Sequence, residues 1–179
     1  MQRHTTRILI TFTFVAAPLC APGQAQAGVE RAYRGKIVLL KKRPPLRFRS
    51  NAAFAQFLKT QRVDKIWPKD KKKQDRWRLE FFAFFRGAPN DVEVKIKFYD
   101  ITEGRRFVAG DSIYVSSRQQ RILASHIELE KPRFNINRRY VMYITNARGQ
   151  TLASTSFRLN GKAESYSGRV TFTEDETRR

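Results

Sequence analysis

This sequence is short of the groups on which most enzymes and metal proteins depend. Its 179 residues include a single cysteine, Cys20, and two histidines, of which only His126 lies beyond the first few residues. One thiol makes no internal disulfide, and without a Cys/His cluster a zinc site lacks its usual ligands. No Asp-x-Asp loop offers oxygens to calcium, and no Gly-x-Gly-x-x-Gly or Walker loop offers amides to a phosphate. The expectation is a chain with no metal and no cofactor. Acidic residues are scarce as well: Asp and Glu total 16 against 36 Lys and Arg, a formal net charge of +20. Long apolar runs are also missing. The stretch from Ile8 to Leu19 falls well short of the ~18 to 20 residues that span a bilayer, and it contains Pro18 and two threonines.

That stretch is preceded by Arg3, His4 and Arg7 and followed by Ala25-Gln26-Ala27. A positive start, a short apolar centre and a small-x-small site are the parts of a cleavable signal peptide, which assigns 1–27 to a leader and the remainder to an exported chain, periplasmic or secreted. Leu19 and Pro18 stand before Cys20 where a lipid-attachment site wants small residues, so Cys20 is read as part of the leader. Cleavage would leave 152 residues, enough for one domain that buries roughly two thirds of its unfolded surface. Arg3 and Arg7 depart with the leader, so the remainder carries +18. A charge of that size steers polyanions toward the surface. For an exported protein these are anionic lipids, lipopolysaccharide, wall polymers, acidic polysaccharide or extracellular DNA.

Periodicity along the chain is mostly that of strands. Gly35 to Lys42 and Leu46-Arg47-Phe48-Arg49 read as two short strands bent at Pro44-Pro45, the second with arginines on its wet face. Ser50 or Asn51 then caps a short helix near 52–60, the only helix expected, in which Phe54, Phe57 and Leu58 fall at i, i+3, i+4. Lys69 to Asp75, including Lys71, Lys72 and Lys73, has no apolar residue and reads as a solvated loop. Trp77 to Arg86 is apolar at both parities, as a central strand covered on two sides would be. Val92, Val94, Ile96 and Phe98 alternate with Glu93, Lys95, Lys97 and Tyr99, the clearest half-buried strand. Phe107 to Ser116 and Ile122 to Lys131 follow; Tyr140 to Thr145 and Leu152 to Leu159 read as a hairpin; Val170 and Phe172 mark a last short strand before a charged tail at 174–179.

Seven or eight strands in about 150 residues point to a mainly β, antiparallel two-sheet sandwich formed by one domain over 28–173. The run Pro132-Arg133-Phe134-Asn135-Ile136-Asn137-Arg138-Arg139-Tyr140-Val141-Met142-Tyr143-Ile144 resembles the approach to strand F of immunoglobulin-like and fibronectin type III-like domains. The resemblance covers about the last 100 residues. It implies an immunoglobulin-like sandwich in which the Tyr140 hydroxyl bonds back to the preceding corner. The paired cysteines of antibody domains are absent, and the helix is an addition.

Candidate chemistry is weighed residue by residue. Ser125, His126 and Glu128 suggest nucleophilic catalysis, but neighbours on a strand face opposite ways, so Ser125 and His126 do not meet. A carboxylate pair drawn from Asp91, Glu93, Asp100, Glu103, Asp111, Glu128 and Glu130 would suffice for glycoside hydrolysis, although most of these stand beside a Lys or Arg that would pair with them. Arg47 with Arg49, and Lys95 with Lys97, set like charges ~7 Å apart on one strand face, which is unfavourable unless an anion answers them. These four, with Lys71, Lys72, Lys73, Arg105 and Arg106, are the candidate anion-binding residues; Tyr140, Phe54, Phe57 and Leu58 are the structural ones. For nucleic acid, Tyr99 beside Lys97 and Trp67 near Lys65 could stack bases, although Trp67 before Pro68 reads rather as a packing residue. The function expected is that of an exported, non-enzymatic binding or scaffold protein of the cell envelope. It would recognise an anionic polymer or a protein partner by salt-sensitive charge contacts, with strand addition at an exposed edge as a further route. The alternatives are an envelope glycan hydrolase and an extracellular nucleic-acid binder.

Overall fold

The computed structural model describes residues 24–162 apart from 46, 71 and 72, with side chains from residue 28 onward. Its architecture follows from the aromatic stretch at 77–85, which has apolar side chains to bury on two sides. This stretch forms most of β3 (Arg76–Phe84), the middle strand of a three-stranded antiparallel sheet in which β1 (Ile37–Leu40) and β6 (Ile122–Glu130) flank it. Trp77, Leu79, Phe81 and Ala83 enter the main core, while Phe82 and Phe84 point the other way.

Facing β3 across that core is a five-stranded sheet in the order β2-β8-β7-β4-β5. Its strands are β2 (Lys65–Ile66), β4 (Glu93–Asp100), β5 (Arg106–Tyr114), β7 (Arg139–Thr145) and β8 (Thr151–Leu159). Strict alternation sends Val94, Ile96 and Phe98 inward from β4, and Tyr140, Met142 and Ile144 inward from β7. The β7–β8 pair is an antiparallel hairpin closed by the turn at 146–150, where Gly149 takes a φ of 78°.

The outer side of the three-stranded sheet is covered at one end by α1 (Gln24–Tyr33) and α2 (Asn51–Gln61). Ser50 caps α2, its Oγ accepting from the Ala53 amide at 3.1 Å. Phe54 and Leu58 then lie against Val38, Leu40, Phe82 and Phe84. Tyr33 of α1 stacks on Phe84 with ring centroids 5.2 Å apart. Among the described residues no helix is long and apolar enough to cross a membrane.

Several expectations are corrected. Two helices are present rather than one: Val29 and Tyr33 lie four residues apart, reach the same apolar cluster, and draw α1 onto it. The expected cleavage point after Ala27 falls within α1; the rest of the leader lies outside the described residues. The sandwich is not wholly antiparallel, because β2 runs parallel to β8. Residues 47–49 form no strand. Pro44 and Pro45 have no amide to offer a ladder, and Phe48 turns into the aromatic cluster of Phe54, Phe57 and Phe82. Trp67 is 63% exposed and is not a packing residue. The strand expected at Val170 and Phe172 and the tail at 174–179 lie outside the described residues, as do Lys71 and Lys72.

Candidate anion-binding face

The outer face of the five-stranded sheet is built by parity. In β4 the residues between the buried ones are Glu93, Lys95, Lys97 and Tyr99, and all four point outward. Lys97 stands opposite Tyr143 of β7, and Tyr99 opposite Val141, so these side chains share the face. Two residues along β7, Arg139 stands opposite Arg158 of β8, and Arg158 in turn opposite Lys65 of β2. Three cations therefore lie side by side across three strands. Like charges directly opposite one another destabilise a sheet unless something of opposite sign lies over them.

Arg105, in the turn between β4 and β5, completes the face. Its guanidinium lies 4.5 Å from the centre of the Tyr99 ring and 5.1 Å from that of Tyr143. Contacts of this kind at an exposed site are each worth about 0.5–1 kcal/mol. They hold the cation in place without neutralising it. Tyr99 meets both Phe107 and Tyr143 edge-on, at 5.6 and 5.8 Å. Among the described residues none of Lys65, Lys95, Lys97, Arg105, Arg139 and Arg158 has a carboxylate within 4 Å of its side-chain nitrogens.

The expected anion-binding residues are only partly brought together. Lys95, Lys97 and Arg105 share this face. Arg106 stands opposite Asp100 and lines a smaller cavity with Asp100, Glu103 and Arg138. Arg47 and Arg49 are on the far side of the molecule, beside Phe54, Phe82 and Ile122 in a groove of about 710 Å3. Lys73 is exposed in the turn before β3. Arg139, Arg158 and Lys65 are additions to the residues expected from the sequence; alternation along the β7–β8 hairpin signals that the two arginines point outward, whereas Lys65 joins them only through the pairing of β2 with β8.

Beneath this face one carboxylate is buried against a partly exposed arginine. Asp100 is 4% exposed, accepts from the Thr102 amide at 2.8 Å, and meets an Arg138 guanidinium nitrogen at 3.0 Å. Burial pushes its carboxyl up, but the bonds from Thr102 and the Arg138 charge together outweigh burial and hold it below the usual aspartate value. Arg138 is pushed above its ordinary value by the same bond and charge. Tyr140 is buried, which raises its phenol; its Oη accepts from the Asn135 amide at 2.8 Å, tying β7 to the turn before it.

Three of the carboxylates weighed for hydrolysis come together at one cleft. Asp111, Glu128 and Glu130 border a cleft of about 510 Å3 where β5 and β6 leave the sandwich open. Glu130 pairs with Arg76 at 3.3 Å, Glu128 with Arg78 at 3.7 Å and Lys69 at 3.9 Å. Asp111 Oδ1 accepts from the Ser112 amide at 2.8 Å. Ser125 and His126 lie on opposite faces of β6, opposite Phe81 and Glu80. Among the described residues no three His, Cys, Asp or Glu side chains come together as a metal site.

The fold and this face define the chain as a mainly β, two-sheet protein with a cationic outer surface. Comparison with known proteins adds little. No protein-family model matches the chain, and a search of curated proteins finds no match. Among solved structures, a β-glucuronidase of Parabacteroides merdae with glycerol in its active site is similar over 49% of this chain and 12% of its own length. The two share 13% identity with a TM-score of 0.31, a likeness too loose to inform the function.

Proposed function

We propose that this protein is an exported, non-enzymatic binding module of the cell envelope, which recognises an anionic polymer with the outer face of its five-stranded sheet. One observation carries the reading: Lys65, Arg158 and Arg139 stand in register across three strands with no carboxylate among them. A fold that places like charges in contact gains from an anion laid over them. The polymer's charges would run across the strands, with Arg105 presented from the Tyr99 and Tyr143 rings and Lys95 and Lys97 alongside. Recognition of this kind is sensitive to salt, because exposed charges are screened over about 10 Å at 0.1 M.

The finer architecture is read as immunoglobulin-like. Support comes from a three-stranded sheet packed on a five-stranded one, a β7–β8 hairpin in the middle of the larger sheet, and Tyr140 bonding back to the turn that precedes β7. The leader expected at 1–27 makes the envelope or its surroundings the place of action; protein recovered from the periplasm or medium should begin at Gly28.

The test is retention of the purified protein on lipopolysaccharide, wall polymer, acidic polysaccharide and DNA across a salt series, beside an unrelated basic protein of equal charge. Retention of one polymer above the control, weakening as salt rises, supports the reading. Equal and weak retention on every polymer, no better than the control, refutes it.

A further inference from the structure

The outer face has a hole in it. Gly110 of β5 stands opposite Lys97, and Ser112 opposite Lys95; all four positions face outward, and the missing side chain leaves a hollow of about 330 Å3. Phe107, 57% exposed, walls it from the side, and the two lysines and Ser112 form its rim; Asp111 also borders it, but by parity its carboxylate belongs to the inward side of β5, where Oδ1 accepts from the Ser112 amide. The size is at the small end of ligand-binding hollows. Neither the backbone nor the packing requires a glycine there. Gly110 is not among the residues at positive φ, and a Cβ would make ordinary contacts, 3.5 Å from the Ile96 carbonyl oxygen and 3.5 Å from Phe107 Cζ. What a side chain at 110 would take up is the hollow itself.

We infer that the hollow over Gly110 seats one anionic sugar ring of an acidic polysaccharide. This rests on the reading of the face as a polyanion site and narrows it to a class of polymer. The ring lies on the Gly110 backbone with its C–H face against Phe107. Its carboxylate or sulfate sits between the ammonium groups of Lys95 and Lys97, and a hydroxyl meets Ser112 Oγ. A nucleic acid suits the face less well. Successive bases need a row of open rings, whereas Arg105 lies over both Tyr99 and Tyr143; the open rings on β5 are Phe107 and Tyr114, which stand apart with Gly110 and Ser112 between them and make no row. A polyphosphate would use the cations and have no use for the hollow.

The experiment measures affinity of the purified protein, at one ionic strength, for polygalacturonate, dextran sulfate, neutral dextran, polyphosphate and single-stranded DNA. Wild type is compared with Gly110→Ala and Phe107→Ala, each checked for an unchanged thermal midpoint. The expected result is tenfold or greater preference for one of the two acidic polysaccharides over polyphosphate of equal charge, with no binding of dextran. Polygalacturonate and dextran sulfate distinguish a carboxylate from a sulfate. Gly110→Ala and Phe107→Ala should each weaken the preferred polysaccharide at least fivefold and leave polyphosphate unchanged. If all polyanions bind alike and neither variant discriminates, the sugar seat is overturned while charge recognition survives. DNA bound most tightly, with Gly110→Ala indifferent, overturns it in favour of nucleic acid. Should no polymer bind better than to a charge-matched control protein, both readings fall.

Discussion

On the outer side of the three-stranded sheet, Arg76 stands opposite Glu130 and Arg78 opposite Glu128; on the outer side of the five-stranded sheet, Arg139 stands opposite Arg158 with Lys65 beyond it. Both surfaces use the same geometry, a side chain facing its cross-strand neighbour. The first surface is internally complete: its uncovered end answers each arginine with glutamate, and its other end is sealed by α1 and α2. Among the described residues the second has no layer of helices, and although Glu93 points outward on it, none of its cations has a carboxylate within 4 Å. The comparison separates what holds this protein together from what it offers to others. Stability should respond to changes on the covered face and affinity to changes on the bare one.

The largest effect expected is on the covered face. Phe82→Ala leaves a void among Phe48, Phe54 and Phe84 and should cost about 3–5 kcal/mol in urea unfolding, with polyanion affinity per folded molecule unchanged. A parallel loss of affinity would break the separation. Next comes the bare face: Lys95→Glu with Lys97→Glu should weaken binding of an acidic polymer at least tenfold and flatten its salt dependence, while the thermal midpoint stays or rises slightly. A smaller effect belongs to Asp100, between the two surfaces. Because its carboxyl is held below the ordinary value of about 3.9, its contribution is present above that pH and is lost as pH falls through its lower, folded value. Stability measured between pH 5 and pH 2 should therefore fall more steeply in wild type than in Asp100→Asn, and equal slopes would remove Asp100 from the account. The smallest change is Arg76→Ala. Its pair with Glu130 is more than half exposed on both sides, so the cost should stay below about 1 kcal/mol and polymer binding should not move.

How much of this was legible in the sequence depends on whether the signal was local. The alternation from Val92 to Tyr99 gave β4 its inward and outward sides, and the phenylalanines at both parities of 81–85 gave β3 its two covered faces. The helix at Phe54, Phe57 and Leu58 was read within one residue of its start. β2 was not read, since two residues have no period; what defines Lys65–Ile66 is β8, more than ninety positions away. Leu46 to Arg49 alternates as a strand does, yet Phe48 gains more from three aromatic neighbours than from a ladder that two prolines interrupt. Of the bare face, Lys95 and Lys97 were visible because two residues on one strand must share a side. The juxtaposition of Arg139 with Arg158, and of Arg105 with two tyrosines, depends on which strands are neighbours and in what register. Hydropathy along the chain does not encode either.

Asp111 has a further consequence. The Val115 amide donates to the Val92 carbonyl, so by antiparallel alternation the Ser112 amide points away from β4, off the edge of the sheet that no described strand covers. Asp111 accepts that hydrogen bond, and its inward parity sets a negative charge where the next strand would have to dock. Inward charges on edge strands are a known guard against sheets joining edge to edge. Many copies gathered along one polymer would sit at very high local concentration, the condition under which bare edges grow into fibres. With this edge blunted, copies gathered on the proposed polymer would stay separate, as beads on a strand.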